Sequence, residues 1–192
     1  MEKIVLVDKN NNVLGTASKL EAHNNNTPLH RAFSLFLFNS EGKLLLQQRS
    51  RKKKTWPLVW SNSVCGHPML NESNIDAVKR RLKFELNIEL NEIFEILPNF
   101  SYRAEMNGIV ENELCPVYIG FTDLKPKVNP DEVENIKWIK WNNFLKEIKQ
   151  KPGTYSIWCE EEANLLAENQ TFLDICKKMC QVPKLTAKTI KS

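Results

Sequence analysis

The 192 residues carry 27 Lys and Arg against 23 Asp and Glu, with 42% hydrophobic and 26% charged positions, the balance of a globular chain and not of a disordered or fibrous one. At this length one folded domain over 1–180 is expected, followed by a flexible basic tail at 181–192. No apolar run nears the roughly 20 residues that span a bilayer, there is no signal-peptide pattern, and five cysteines without paired C-x-x-C spacing argue against a disulfide framework, so a cytoplasmic protein with reduced thiols is expected.

In chain order, residues 3–8 (KIVLVD) read as a short strand and KNNN as a turn, with Val13 and Leu14 returning as a hairpin. Residues 18–22 fit a helical turn that leads to His23, a polar loop and His30. The apolar run 32–38 (AFSLFLF), the turn NSEG and 44–49 (LLLQQR) predict a hairpin with a buried face. The basic run 49–54 (RSRKKK) follows; such a run is usually a solvated loop and sometimes an anion or nucleic-acid site. Ser73 caps a helix, helped by Asp76 three residues on, and Ile75, Val78, Leu82 and Leu86 form its apolar stripe. Residues 94–97 and 100–104 are candidate strands around Pro98. A further strand is expected over 111–122, whose alternation puts Glu111, Glu113 and Cys115 on one face with Val117, Ile119 and Phe121. Pro116 argues for an edge position or a bulge. After a strand at 136–141, Lys151-Pro152-Gly153 breaks the chain before a helical part from about 157 to 180, where Cys159, Cys176 and Cys180 fill packing positions.

The stretch 56–85 holds the chemistry. Gly66, Glu72, Arg80, Leu82 and Glu85 match G-x5-E-x7-R-x-L-x-x-E, most of a Nudix box. In the hydrolases two further carboxylates gather metal, and here Arg81 and Phe84 stand in their places, so hydrolysis is not expected. By spacing alone, Arg81 and Glu85 fit a solvated i,i+4 ion pair worth a few tenths of a kcal/mol better than a phosphate-and-cation pair. His23, His30 and His67, the only histidines, compose with Glu111 and Glu113 an N3O2 set suited to a first-row divalent ion. Spacing does not by itself bring those three segments together, and a lone loop histidine is most often a surface residue. On its own Cys65 reads as a small buried apolar residue and Tyr102 as an ordinary strand aromatic.

Residues 56–67 (WPLVWSNSVCGH), Tyr102-Arg103-Ala104 and 108–116 (GIVENELCP) resemble the type I isopentenyl diphosphate isomerases, Nudix-fold proteins that do not hydrolyse their substrate. The resemblance extends over about 5–158. It implies an α/β (α+β) fold with a mixed β-sheet packed between helices, and interconversion of isopentenyl and dimethylallyl diphosphate through a tertiary carbocation, in isoprenoid biosynthesis. It further implies Cys65 and Glu113 as the acid-base pair, Tyr102 beside the glutamate and Trp158 facing the carbocation. His23, His30, His67, Glu111 and Glu113 match ligands of one divalent ion (Mn2+, Zn2+ or Mg2+). Glu85 matches a carboxylate on a second ion, Mg2+, shared with the diphosphate and the Cys65 carbonyl. Lys19, Arg49, Lys53 and Arg81 match residues that hold the diphosphate, which leaves Arg51, Lys52 and Lys54 solvated, and Trp56 and Trp60 as packing residues. The implied partner is a small isoprenoid diphosphate, without nucleic acid or membrane, in a monomer or weak homodimer. Two rivals stand beside this reading: a hydrolase built on Gly66, Glu72 and Glu85, and a metal- or RNA-binding module using 49–54.

Overall fold

Asn-rich turns and short alternating runs make the first part of the chain a set of brief strands. In the computed structural model, which describes residues 2–180, β1 (Lys3–Val7) and β2 (Val13–Ser18) pair as the expected hairpin, and α1 (Lys19–Ala22) follows directly. The expected tail at 181–192 lies outside the described residues. Next come β3 (His30–Arg31), β4 (Phe33–Phe38), β5 (Lys43–Arg49), β6 (Trp60–Ser61), β7 (Val64–Gly66) and α2 (Asn74–Leu86). The chain continues through β8 (Phe94–Leu97), β9 (Ser101–Met106), β10 (Ile109–Leu114), β11 (Val117–Phe121) and β12 (Val133–Lys140) to α3 (Trp141–Gln150), α4 (Ile157–Glu168) and α5 (Gln170–Cys180).

Two mixed sheets result, ordered β2-β1-β3-β10-β9 and β12-β5-β4-β11-β8, with β6 on β5 and β7 on β4 in the second. Residues 111–122, expected as one strand, are two. The chain leaves the first sheet after Leu114 and enters the second at Val117, and its neighbour does the same between Arg31 and Phe33. The two run parallel through the crossing, held by Ala32 N–H to the Leu114 carbonyl (2.9 Å) and Ser34 N–H to the Pro116 carbonyl (3.1 Å). Pro116, lacking an N–H, marks a passage between sheets and not an edge position, and the irregularity expected near it lies just beyond, where the pairing of β11 with β8 shifts register between Val117 and Tyr118. The predicted hairpin of β4 and β5 pairs only at Leu37 with Leu45 and Phe38 with Leu44; farther along, β7 takes the place of β5 beside β4.

All of β4 is buried, so helices must cover both faces of the second sheet. Alternation sends Phe33, Leu35 and Leu37 into a cluster with Val78, Leu82 and Leu86 of α2, and Phe36 and Phe38 into another with Phe144 of α3, Cys159 and Leu166 of α4 and Phe172 of α5. Each such side chain contributes about 1.5–3 kcal/mol on burial. The α2 cap forms as expected, Ser73 Oγ accepting from Asp76 N–H at 3.1 Å, and Asn87 closes the helix in the left-handed conformation that Asn tolerates. Ile75 is exposed: it sits in the first turn at the margin of the stripe, and the buried face is instead completed by Ala77, Arg81 and Glu85. Among the described residues the five cysteines are all free thiols; Cys159 is fully buried, whereas Cys176 and Cys180 are only partly covered. No helix is long and apolar enough to cross a membrane among the described residues.

Candidate active site

Strand register builds one wall of the site. Tyr102 on β9 lies opposite Glu113 on β10, and Glu113 lies opposite His30 on β3, so three chemically active side chains stand in a row across the first sheet. Glu111, two residues before Glu113, shares its face. His23 arrives at the C-terminal end of α1 and His67 directly after β7. One ligand atom from each of His23, His30, His67, Glu111 and Glu113 lies within 4.8 Å of every other, and all five residues are buried.

The donor set suits a cation. Carbonyl oxygens can only accept, so the contacts of His23 Nδ1 with Lys19 O (2.6 Å) and of His30 Nδ1 with Pro28 O (2.9 Å) place a proton on each Nδ1 and turn each Nε2 inward. His23 Nε2, His30 Nε2, His67 Nδ1 and Glu111 Oε2 are buried without a well-formed hydrogen bond, His23 Nε2 facing Glu111 Oε2 at 2.8 Å and His30 Nε2 facing Glu113 Oε1 at 3.4 Å within the cluster itself. At about 1–3 kcal/mol for each unsatisfied buried group, such a concentration is tolerable where an ion compensates it. Burial drives His67 down to about 4, the neutral form a ligand requires. Burial pushes Glu113 upward, but the His30 and His67 contacts outweigh it and hold the carboxyl well below the usual range. His23 is raised, burial being overcome by Glu111, whose Oε2 lies 2.8 Å from its Nε2; a metal would displace that proton.

The opposite wall comes from the second sheet. Cys65 on β7 donates its Sγ–H to Asn62 Oδ1 at 2.9 Å, and the same oxygen accepts from Trp158 Nε1 at 3.2 Å. Asn62 is itself anchored by Nδ2 to the Leu35 and Val64 carbonyls, so one buried amide sets both the thiol and the indole. Burial pushes the Cys65 thiol up to about 12, with Glu162 adding to the effect. Trp158 packs edge-on to Trp56 and tilted against Tyr102, ring centroids 5.4 and 5.5 Å away. Tyr102 is likewise raised well above its ordinary value by burial and by Glu113.

A cavity of about 370 Å³ joins the two walls, lined by Cys65, Tyr102, Glu111, Glu113, His23, His67 and Trp158 together with Lys19, Arg49 and Lys53. His30, Arg81 and Glu85 do not line it. Arg81 and Glu85 also depart from the solvated pair that spacing favours: both are buried, and Arg81 donates to Glu85 Oε1 through Nε at 2.9 Å and Nη2 at 2.6 Å. Arg49 spends its donors on the carbonyls of Thr55 and Trp56. The basic run is a loop tied to distant segments and not an open patch, with Arg51 on Glu134, Lys52 on Asp131, Lys53 on Glu132, and Lys54 on the Leu20 and His23 carbonyls. Lys52 and Lys54, expected to be merely solvated, therefore make contacts at the cavity mouth. Trp60 is half-buried beneath Lys137 Nζ, and Trp56 is buried, as packing residues should be.

Sequence reasoning missed Glu2, Ser34, Asn62, Glu132 and Glu162. Glu162 carried a signal: it lies one turn after Trp158, and Ala163 and Leu166 continue the same buried stripe of α4. Glu132, in a Pro-containing turn, carried none.

A family profile described as NUDIX domain matches residues 28–160, and the fold with its buried carboxylate-bearing helix is of that class. The chain is also similar to crystal structures from Deinococcus radiodurans (22% identity, TM-score 0.69, 85% of this chain and 98% of that one) and of a MutT protein from Methanosarcina mazei (17%, 0.57, 81% and 97%), a likeness of fold. Proteins named isopentenyl-diphosphate Delta-isomerase are 42% identical over 178 residues in Salmonella paratyphi B (92% of this chain, 98% of that one) and 43% identical over 169 in Saccharopolyspora erythraea (88% and 87%). The chain belongs to the isopentenyl-diphosphate Delta-isomerase family within the Nudix fold.

Proposed function

We propose that this protein interconverts isopentenyl diphosphate and dimethylallyl diphosphate, with Cys65 and Glu113 as the acid-base pair. The observation that carries this reading is that one small cavity is lined by Cys65, Glu113, Tyr102 and Trp158 together with the cations Lys19, Arg49 and Lys53. Moving a double bond by protonation requires one proton to give and one seat to receive another, in a dry place. A thiol raised to about 12 and a carboxyl held ionised supply those two states side by side. Tyr102, protonated and adjacent to Glu113 across the strands, is placed to relay a proton. The indole of Trp158, held by Asn62 and with the Arg49 guanidinium 5.7 Å from its ring centroid, is the proposed aromatic partner of the carbocation, an attraction of about 2 kcal/mol when desolvated.

His23, His30, His67, Glu111 and Glu113 would hold one divalent ion of the kind Mn2+, Zn2+ or Mg2+, and Glu85 with the Cys65 carbonyl would hold Mg2+ bound to the diphosphate. Such ions supply positive charge that fixes Glu113 and neutralises phosphate oxygens. Lys19, Arg49, Lys53 and Arg81 are the proposed diphosphate ligands. The reading is of a single cytoplasmic domain, monomeric or weakly dimeric, acting on a small molecule without nucleic acid. Pairing of Arg51, Lys52 and Lys53 with Glu134, Asp131 and Glu132 offsets part of the positive charge on which an RNA would draw. The hydrolase rival is weakened because Glu72 is occupied by a two-point pair with Arg80 (2.7 and 2.8 Å) and by Met69 N–H.

The test is proton NMR of isopentenyl diphosphate with the metal-loaded protein and Mg2+ in D2O. Dimethylallyl diphosphate carrying deuterium is the expected result. Unchanged substrate overturns the proposal, and release of phosphate favours the hydrolase.

A further inference from the structure

Three of the four cations assigned to the diphosphate, Lys19, Lys53 and Arg81, are already matched with carboxylates. Lys19 Nζ is 3.0 Å from Glu2 Oε2. Arg81 holds Glu85 and also donates to Glu132 Oε2 at 2.8 Å, and that same oxygen accepts from Lys53 Nζ. Glu132 lines the cavity whereas Arg81 does not, so the Glu132 carboxylate covers the guanidinium on the side from which an anion would arrive. Two charge-assisted contacts on one oxygen are what a phosphate oxygen would make there.

This placement is built into the backbone. Glu132 O accepts from Ser50 N–H (3.0 Å), Glu132 N–H donates to Asn129 O (3.0 Å), and Asn129 N–H donates to Glu85 O (2.8 Å). Ser50 Oγ also binds the Pro130 carbonyl at 2.9 Å. The turn is thus tied at once to the loop that follows β5, which carries Lys53, and to α2, which carries Arg81. The carboxylate is presented by a fixed frame and is not a wandering surface side chain.

We propose that Glu132 is a specificity-determining residue that withholds Lys53 and Arg81 from a metal-free diphosphate, so that the site takes the anion as its magnesium complex. A bare diphosphate must break the Glu132 contacts and then face two carboxylates, Glu85 and Glu132, across a short gap. A diphosphate that brings Mg2+ offers both carboxylates a cation in exchange. The inference rests on the assignment of Lys53 and Arg81 to the diphosphate, and it concerns the form of the ligand and not the reaction.

The experiment is calorimetric titration of the metal-loaded protein with inorganic pyrophosphate, with and without Mg2+, in wild type, Glu132→Gln and Lys53→Ala. Arg81 keeps Glu85 when Glu132 is neutralised, and the glutamine carbonyl oxygen can still accept from Lys53 Nζ, so the variant is expected to fold; thermal melting checks this, and Glu132→Asp, which withdraws the carboxylate by one methylene, is the alternative. Wild type is expected to bind pyrophosphate at least tenfold more tightly with Mg2+. Glu132→Gln is expected to bind metal-free pyrophosphate about tenfold more tightly than wild type and to lose most of the magnesium dependence. Unchanged metal-free affinity in the variant overturns the proposal, as does a loss confined to the magnesium complex, which would make Glu132 a simple metal ligand. If Lys53→Ala leaves binding of the magnesium complex unaltered, the assignment of the diphosphate site fails instead, and the two failures are told apart.

Discussion

Two buried glutamates, Glu113 lining this cavity and Glu162 behind it, are electrically opposite. Glu113, on the wall formed by the first sheet, faces the imidazoles of His30 and His67 and is held ionised. Glu162, behind the wall formed by the second sheet, has no cation beside it: its neighbours are the Ser34 hydroxyl and the Cys115 thiol, 3.9 Å away, and Oε2 has no partner. Burial therefore drives its carboxyl well above the ordinary value, with Glu113 adding to the effect after Ser34 has opposed it. The comparison teaches that depth alone does not set charge here; the donors within reach do. One wall gathers the imidazoles and carboxylates that could hold a metal; the other presents the Cys65 thiol, the Ser34 hydroxyl and the Trp158 indole, with Glu162 behind them and the Arg49 guanidinium 5.7 Å from the indole centroid.

The division can be broken or sharpened by four changes. Removing the proposed acid-base thiol should have the largest effect: Cys65→Ala is expected to lower turnover at least a thousandfold by NMR assay while metal content is unchanged, and near wild-type rates would take Cys65 out of the mechanism. On the charged wall, His23→Ala is expected to weaken metal retention at least tenfold; full stoichiometry by elemental analysis after dialysis would show that His23 is no ligand. Where the walls meet, Gly66→Ala places a Cβ 2.9 Å from Arg81 Cγ and 3.1 Å from Phe33 Cζ. The overpacking should cost about 1–3 kcal/mol, or roughly 2–4 °C in Tm per kcal/mol at this size, and an unaltered melting curve would mean that β7 and α2 can separate freely.

The smallest effect is a pH signature. Because the folded pKa of Glu162 is raised, its contribution favours the folded state at acid pH, below the ordinary value of 4.5, and is lost as pH rises through the folded pKa. Glu162→Gln removes that loss. The variant should match wild type near pH 4 and melt a few degrees higher at pH 8, whereas parallel curves at all pH values would mean that this carboxyl is not held protonated.

Much of the fold was legible because local chemistry is strong where it matters. Ser73 announced its helix by its cap, the run 33–38 announced a buried strand by its unbroken apolarity, and Glu111 and Glu113 announced a shared face by the period of two. The helix over 141–150 went unread: residues 136–141 (IKWIKW) alternate as a strand does, and nothing in the local pattern marks Trp141 as the first residue of a helix. Likewise, alternation continues through Cys115 and Pro116 even though the backbone changes sheets there, since pairing partners and not side-chain period decide which sheet a strand joins.

By itself the sequence determined the residue types of the site and the rows in which they lie: a thiol, three imidazoles, paired carboxylates and a basic loop, each set on its element by short-range preference. Only the tertiary structure decided their states. Bringing His30 and His67 onto Glu113, Asn62 onto both Cys65 and Trp158, and Glu132 onto Lys53 and Arg81 joins residues 46 to 96 positions apart. Cys65 alone in this set answers a near neighbour, three residues away. Charge, protonation and access in a buried site depend on the few ångströms around each group, and chain spacing does not carry that distance.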